Sequence, residues 1–178
     1  MHIFKHFRTI TKHRHLVMRY CFKLGIPWQG LVHDLSKYSP IEFFNSAKYY
    51  QGTRSPNDKE REVKGFSESW MHHKGKNKHH YEYWTDVNLA SNEYEAVKIP
   101  IKYLKEMFAD RIAASRIYKG KEYTDGCPYE YFVTHTAIKR MHPESVKIMN
   151  EWLIKLKDQG EKATFAYIKN NYSNKANY

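Results

Sequence analysis

Along nearly the whole chain the apolar positions recur every three to four residues, the spacing of an amphipathic helix. Period-two alternation with paired turn signals is missing, so the pattern predicts an all-α, single-domain helical bundle of about six to eight helices. The first helix runs from Ile3 to Leu24 and stops at Gly25, with Pro27 just beyond. A shorter helix covers "IPWQGLVHDLSK". "SPIE", Ser39 to Glu42, reads as a capping box with Pro40 at the first helical position, and it opens a third helix through "IEFFNSAKYY".

Residues 51–65, "QGTRSPNDKEREVKG", carry almost no apolar side chains and are predicted to be an exposed connection, a solvated loop or a mobile lid, dispensable for folding. A helix through "SESWMHHK" follows. Pro100 opens a long helix to Gly120, and Pro128 and Pro143 open two more, the latter closed by Gly160. One domain over residues 1–170 is expected, with 171–178 as a frayed tail.

At 178 residues the chain is long enough to bury a core without staples. Its two cysteines, Cys21 and Cys127, lie far apart and form no CxxC pair, which suits a reducing compartment. The N-terminus "MHIFKHFRTITKHRH" is broken by charge every few residues, and no apolar run reaches the length of a membrane span. The expectation is a cytoplasmic protein without a membrane partner. Thirty Lys and Arg against 19 Asp and Glu leave a net charge of +11, which attracts anions in general: phosphate esters, nucleotides and nucleic acid. The basic residues are spread along the chain, so charge alone does not choose among them.

Side-chain direction on the helices brings the chemistry forward, since successive residues rotate by about 100°. On the first helix Ile3, Phe7, Ile10, Val17, Cys21 and Leu24 form the apolar arc. His13 falls on that arc and His15 on the polar side. Arg14 also points inward, which calls for a buried anionic partner. On the helix after Pro100, Ile101, Leu104, Met107, Phe108, Ile112 and Ala114 define the apolar side, and Lys102, Lys105, Glu106 and Arg116 the wet one. Asp110 falls among the apolar positions and needs a cation there. That cation is either Arg111 or Arg14 in a buried ion pair, or a divalent metal shared with His13, His33 and Asp34, whose imidazole and carboxylate groups suit such an ion. "WMHHKGKNKHH" adds four histidines between aromatic residues. His73 shares the face of Phe66 and Trp70, whereas the pattern does not separate His79 from His80, although His80 aligns with Tyr83 and Trp84.

In this order, His13, "HD" at 33–34, His73, His79 or His80, and Asp110, the sequence resembles the HD superfamily of metal-dependent phosphohydrolases, with its H…HD…D pattern on a helical core. The resemblance extends to "HDLSK" and "ADRIAASR" and spans residues 3 to about 120. The stretches "HDLSK", "SPIEFF" and "NKHHYEYW" are also similar to an uncharacterised bacterial and phage family within or near that superfamily. One departure is the short interval from His73 to His79 or His80, which in binuclear members usually spans separate helices.

The resemblance implies one or two divalent ions (Mn, Fe, Co, Ni or Zn), the first held by His13, His33, Asp34 and Asp110, the second by His73 and His80. It implies hydrolysis of a nucleotide or small phosphate ester by metal-activated water, with Asp34 orienting that water and Lys37 stabilising charge on the phosphate. Lys37 alternatively is a solvated helix terminus. Arg14 and Arg111, if not paired with carboxylates, become phosphate binders. Two other functions use the same features: a binuclear iron oxygenase on an equivalent ligand set, and a non-catalytic nucleic-acid-binding module.

Overall fold

A computed structural model describes residues 2–135 and 137–175. Among them are nine α-helices and one small hairpin, an almost wholly helical architecture. They are α1 (Ile3–Lys23), α2 (Pro27–Val32), α3 (Pro40–Tyr49), α4 (Pro56–Lys64), α5 (Glu68–Lys76), the strands β1 (Thr85–Asn88) and β2 (Glu93–Ala96), then α6 (Ile101–Lys119), α7 (Cys127–Thr134), α8 (Ala137–Arg140) and α9 (Pro143–Asn171). Among the described residues no helix is long and apolar enough to cross a membrane.

The central element is α6, which packs against α1, α2, α7 and α9, while α3 bridges α1 to α4 and α5. Val17, Leu24, Leu104, Phe108, Ile112, Trp152, Leu156 and Ile168 lie fully buried in one continuous core. Because α6 is enclosed on almost every side, its supposedly wet positions Lys105 and Glu106 are buried, at 1% and 5% exposure. The Lys105 ammonium reaches the carbonyls of Leu24 and Tyr172 and the side chain of Asn174. Asn174 in turn donates to the Gly25 carbonyl at 2.7 Å. The chain is therefore anchored through Asn174, where fraying was expected; residues 176–178 of that tail lie outside the described residues.

Several elements depart from the pattern reading, each for a definable reason. The helix expected through "IPWQGLVHDLSK" breaks after Val32: His33 is extended, Asp34 adopts a left-handed conformation (φ 54°), and Leu35–Tyr38 form a 3-10 turn. The capping box is half made. Ser39 Oγ accepts from the Glu42 N–H at 3.5 Å, but the Glu42 carboxylate turns to histidines of α5 instead of the Ser39 N–H. Phe7, assigned to the apolar arc of α1, is 46% exposed and rests its edge against Tyr38 and Phe43.

The segment 51–65 is not a loop throughout, since α4 forms without an apolar face. Ser55 caps it, Pro56 opens it and Gly65 closes it at φ 81°. Pairs such as Asp58–Arg61 and Glu60–Lys64 run along it, and the buried Glu60 carboxylate accepts from the hydroxyls of Ser67 (2.7 Å) and Ser69 (3.0 Å). The hairpin escapes a period-two search because both of its strands are largely exposed and need no apolar alternation. Gly160 leaves the helical conformation (φ 75°, ψ 174°), so the helix from Pro143 stops there as expected; what the pattern did not show is a second helical segment directly beyond it, which returns Phe165 and Ile168 to the core.

Candidate metal centre

The break at His33–Asp34 places the two side chains of the HD dipeptide between α1, α5 and α6. Gly30 is what lets α2 approach closely enough, because a Cβ there would lie 2.8 Å from Cys21 Cβ and 3.1 Å from the Met18 backbone. Arg14 secures the turn from α1, donating to the carbonyls of Leu31 (2.5 Å) and His33 (3.1 Å). It thus satisfies helix-end carbonyls in place of the buried carboxylate that was one partner expected of it.

Four groups converge on one side of Asp34. Asp34 Oδ2 lies 3.2 Å from His33 Nε2 and 3.7 Å from His13 Nε2, while Asp110 Oδ1 lies 2.9 Å from His13 Nε2 and 3.6 Å from His33 Nε2. On the other side Asp34 Oδ1 lies 3.2 Å from His73 Nε2 and 3.5 Å from His79 Nε2, with His80 completing the cluster. In each cluster the donor atoms all fall within 4.8 Å of one another, close enough for a single ion to reach them, and Asp34 belongs to both. The choice between His79 and His80 does not arise, because both are present.

The tautomers point the same way. His33 and His79 both donate from Nδ1 to Glu106 Oε1, at 2.8 and 3.0 Å, and His73 donates from Nδ1 to Glu42 Oε2 at 2.7 Å. A carboxylate only accepts, so each Nδ1 carries a proton and each Nε2 is the nitrogen turned towards Asp34; burial would lower the pKa of His33 and His73, but Asp34 and the other carboxylates raise both, so a cation bound there would displace a proton from these rings. Burial alone would raise the Glu106 carboxyl, but hydrogen bonds from His33 and His79 outweigh it and hold it ionised, below the usual range. Carboxylates behind ligating imidazoles are the usual means of fixing their orientation at a metal.

Seven of the facing atoms, Nε2 of His13, His33, His73, His79 and His80 and both oxygens of Asp34, are buried without a partner in good hydrogen-bond geometry; apart from the Lys37 ammonium at Asp34 Oδ2, they face one another. Buried polar atoms are normally paired, so this concentration fits a site built to hold cations. Burial lowers the pKa of His13 and, together with the neighbouring His79 and His73, that of His80, leaving both imidazoles neutral as metal ligation requires. Asp34 would be raised by burial, but His33, Lys37 and His73 hold it well below the carboxylate range.

Lys37 joins the centre: its Nζ lies 2.6 Å from Asp34 Oδ2, and despite burial the carboxylates of Asp34 and Asp110 keep it charged. Lys37 and Asp110 are partly exposed, with 30% and 19% of their side chains uncovered. Arg111 is not brought to the centre. It sits over the Phe132 ring at 5.0 Å and against Met107 Sδ, with no carboxylate partner among the described residues. Neither it nor Arg14 forms the ion pair with Asp110 that was the alternative to a metal.

Glu42 and Glu106 are the members that pattern reading missed. Glu106 precedes Asp110 by one helical turn, a spacing that places both on one face. Glu42 carried no such signal, because its position in a capping box already accounted for it. No curated protein and no solved structure matches the chain. A family described only as of unknown function, DUF5662, matches residues 2–155, which include every residue of the two clusters. The chain belongs to DUF5662.

Proposed function

We propose that this chain is a metal-dependent phosphohydrolase of the HD type, acting on a nucleotide or small phosphate ester. The observation that carries the reading is the set of buried Nε2 and carboxylate atoms grouped within reach of a single ion on each side of Asp34. Their order along the chain, His13, His33–Asp34, His73, His79–His80 and Asp110, follows the H…HD…D pattern with additional histidines between. His13, His33, Asp34 and Asp110 would hold one divalent ion, and Asp34, His73, His79 and His80 a second. When bound, such an ion supplies Lewis-acid chemistry, polarising a phosphoryl oxygen and acidifying water.

The chain's own groups do the rest. Asp34 orients the donors of both clusters, and Glu106 and Glu42 keep the imidazole protons on the far nitrogens. Lys37, charged and beside Asp34 on the less covered side, meets the negative charge that develops on a phosphoryl group. The mixed imidazole and carboxylate donors suit Mn, Fe, Co, Ni or Zn.

Metal analysis of the purified protein, followed by a phosphatase screen with added manganese, cobalt or nickel, tests the reading. Stoichiometric metal with metal-dependent release of phosphate supports it. Absence of tightly bound metal together with no hydrolysis under any metal rejects it, and iron with oxygen consumption points to the oxygenase alternative.

A second reading, nucleic-acid binding, is favoured by α1, which contains no acidic residue and presents Arg8, Lys12, His15 and Arg19 at successive turns of one face. Binding to DNA or RNA that weakens steeply with salt, without turnover, would favour it.

A further inference from the structure

Beside the centre, on its less covered side, a polar pocket opens between α1, α3, the start of α4 and the end of α6. Lys37, His6, Thr9, Tyr50, Asn57 and Tyr118 are among the residues that line it. Because Lys37 Nζ lies 2.6 Å from Asp34 Oδ2, the pocket and the metal centre share that side chain.

The lining has a distinct chemistry. It contains no acidic side chain and, apart from Lys37, no cation; it offers hydroxyls, an amide and aromatic faces. Thr9 and Tyr50 join their hydroxyls at 2.7 Å. His6, one face-sharing turn before Thr9 and only 3% exposed, lies against Phe43 and Tyr50, yet its Nδ1 has no hydrogen-bond partner. Burial, aided by the charge of Lys37, pushes its pKa down to about 4, so the ring is uncharged and offers a neutral hydrogen bond. It serves neither as a phosphate clamp nor as a proton donor at neutral pH. A buried polar atom of this kind is ordinarily satisfied, and a ligand hydroxyl, which donates and accepts, is the complement to the polar groups of the lining.

Phosphate itself is a poor occupant, since only Lys37 would answer its charge. The part of a phosphate ester that must lie next to the phosphoryl group is its alcohol. We infer that this pocket, about 60 Å³ in volume, binds one hydroxyl-bearing edge of the uncharged part, a sugar or polyol, of a phosphate ester whose phosphoryl group is held at Lys37 and the metal centre. The assignment rests on the phosphohydrolase reading and makes His6, Thr9 and Tyr50 its specificity determinants.

The test uses the full chain loaded with manganese and two probes that resist hydrolysis: the phosphonate analogue of ribose 5-phosphate, and methylphosphonate, which lacks the sugar. Calorimetric titration should find the ribose phosphonate bound about tenfold more tightly, the worth of roughly one net hydrogen bond. His6→Phe, which keeps an aromatic ring against Phe43 and Tyr50, should remove most of that preference and leave methylphosphonate affinity unchanged. Tyr50→Phe, the milder change, should do the same in part. Equal affinity for the two probes, or equal loss of both in the variants, overturns the pocket assignment and leaves the metal centre standing. Metal-dependent binding of neither probe overturns both readings. Tight, His6-dependent binding of the ribose phosphonate without hydrolysis of any phosphate ester upholds the pocket and removes the hydrolase.

Discussion

Glu106 and His33 are joined by a 2.8 Å hydrogen bond from imidazole Nδ1 to the carboxylate, and this bond determines which nitrogen of His33 faces Asp34. Because the same oxygen also takes the proton of His79 Nδ1, one side chain orients a donor in each cluster. Glu106→Gln keeps every facing atom while replacing an acceptor by a group that can present an N–H. Metal affinity should fall by about 10- to 100-fold, measured by competition with a chromogenic chelator. Unchanged affinity would mean that packing alone orients the two rings.

Asp34 belongs to both clusters through its two oxygens. Asp34→Ala should therefore abolish binding at both, whereas His73→Ala should affect only one. Elemental analysis after equilibration with manganese and gel filtration distinguishes these outcomes. Equal residual metal in the two variants would show that Asp34 does not link the clusters.

His13 and His15 are two residues apart on α1, one buried and one exposed. His13→Ala should strip metal and any activity, and His15→Ala should leave both near wild type. Equal loss from the two substitutions would refute the placement of His13 Nε2 beside Asp110.

Gly30→Ala introduces a Cβ at 2.8 Å from Cys21 Cβ and 3.1 Å from the Met18 backbone, so α1 and α2 must separate. A cost of about 1 to 3 kcal/mol follows from such overpacking. Denaturant midpoints check it, and a midpoint equal to wild type would show that the helices part freely.

Glu60 ties α4 to the start of α5 through Ser67 and Ser69. Burial would raise its pKa, but the hydrogen bonds from Ser67, Lys64 and Ser69 prevail and lower it from 4.5. With the folded value below the unfolded one, the stabilisation is present above pH 4.5 and fades as pH falls through the folded value. Glu60→Gln should thus be less stable than wild type at pH 7, with the gap narrowing below pH 4.5 in chemical denaturation. A gap independent of pH would assign the loss to shape instead of charge.

How far the sequence announced this arrangement varied with the kind of signal. The inward direction of His13 and Asp110 was legible because each interrupts an apolar arc at helical spacing; His73 is buried too, but not on the face expected to hold Phe66, which lies before α5 and is 56% exposed. Glu106 was hidden by the burial of α6 on nearly all sides, which leaves no wet face against which a helical wheel can be drawn. The left-handed turn at Asp34 was hidden too, since nothing in "VHDLS" demands a positive φ. Helix α4 was unreadable for the opposite reason: its stability lies in caps, charge pairs and one buried carboxylate, none of which leaves an apolar period. Arg14 looked inward, as predicted, but found carbonyls instead of an anion, and periodicity does not name a partner.

The Lys105 ammonium couples three distant stretches of chain: the end of α1 at Leu24, the middle of α6, and the segment after α9 at Tyr172 and Asn174. Burial lowers its pKa to about 8, so those oxygens are what make an interior charge tolerable. The ammonium therefore lacks most of its acceptors until residues 172–174 pack against α1 and α6, which makes the segment after α9 the clasp that closes the core at the end farthest in sequence from the helix it joins.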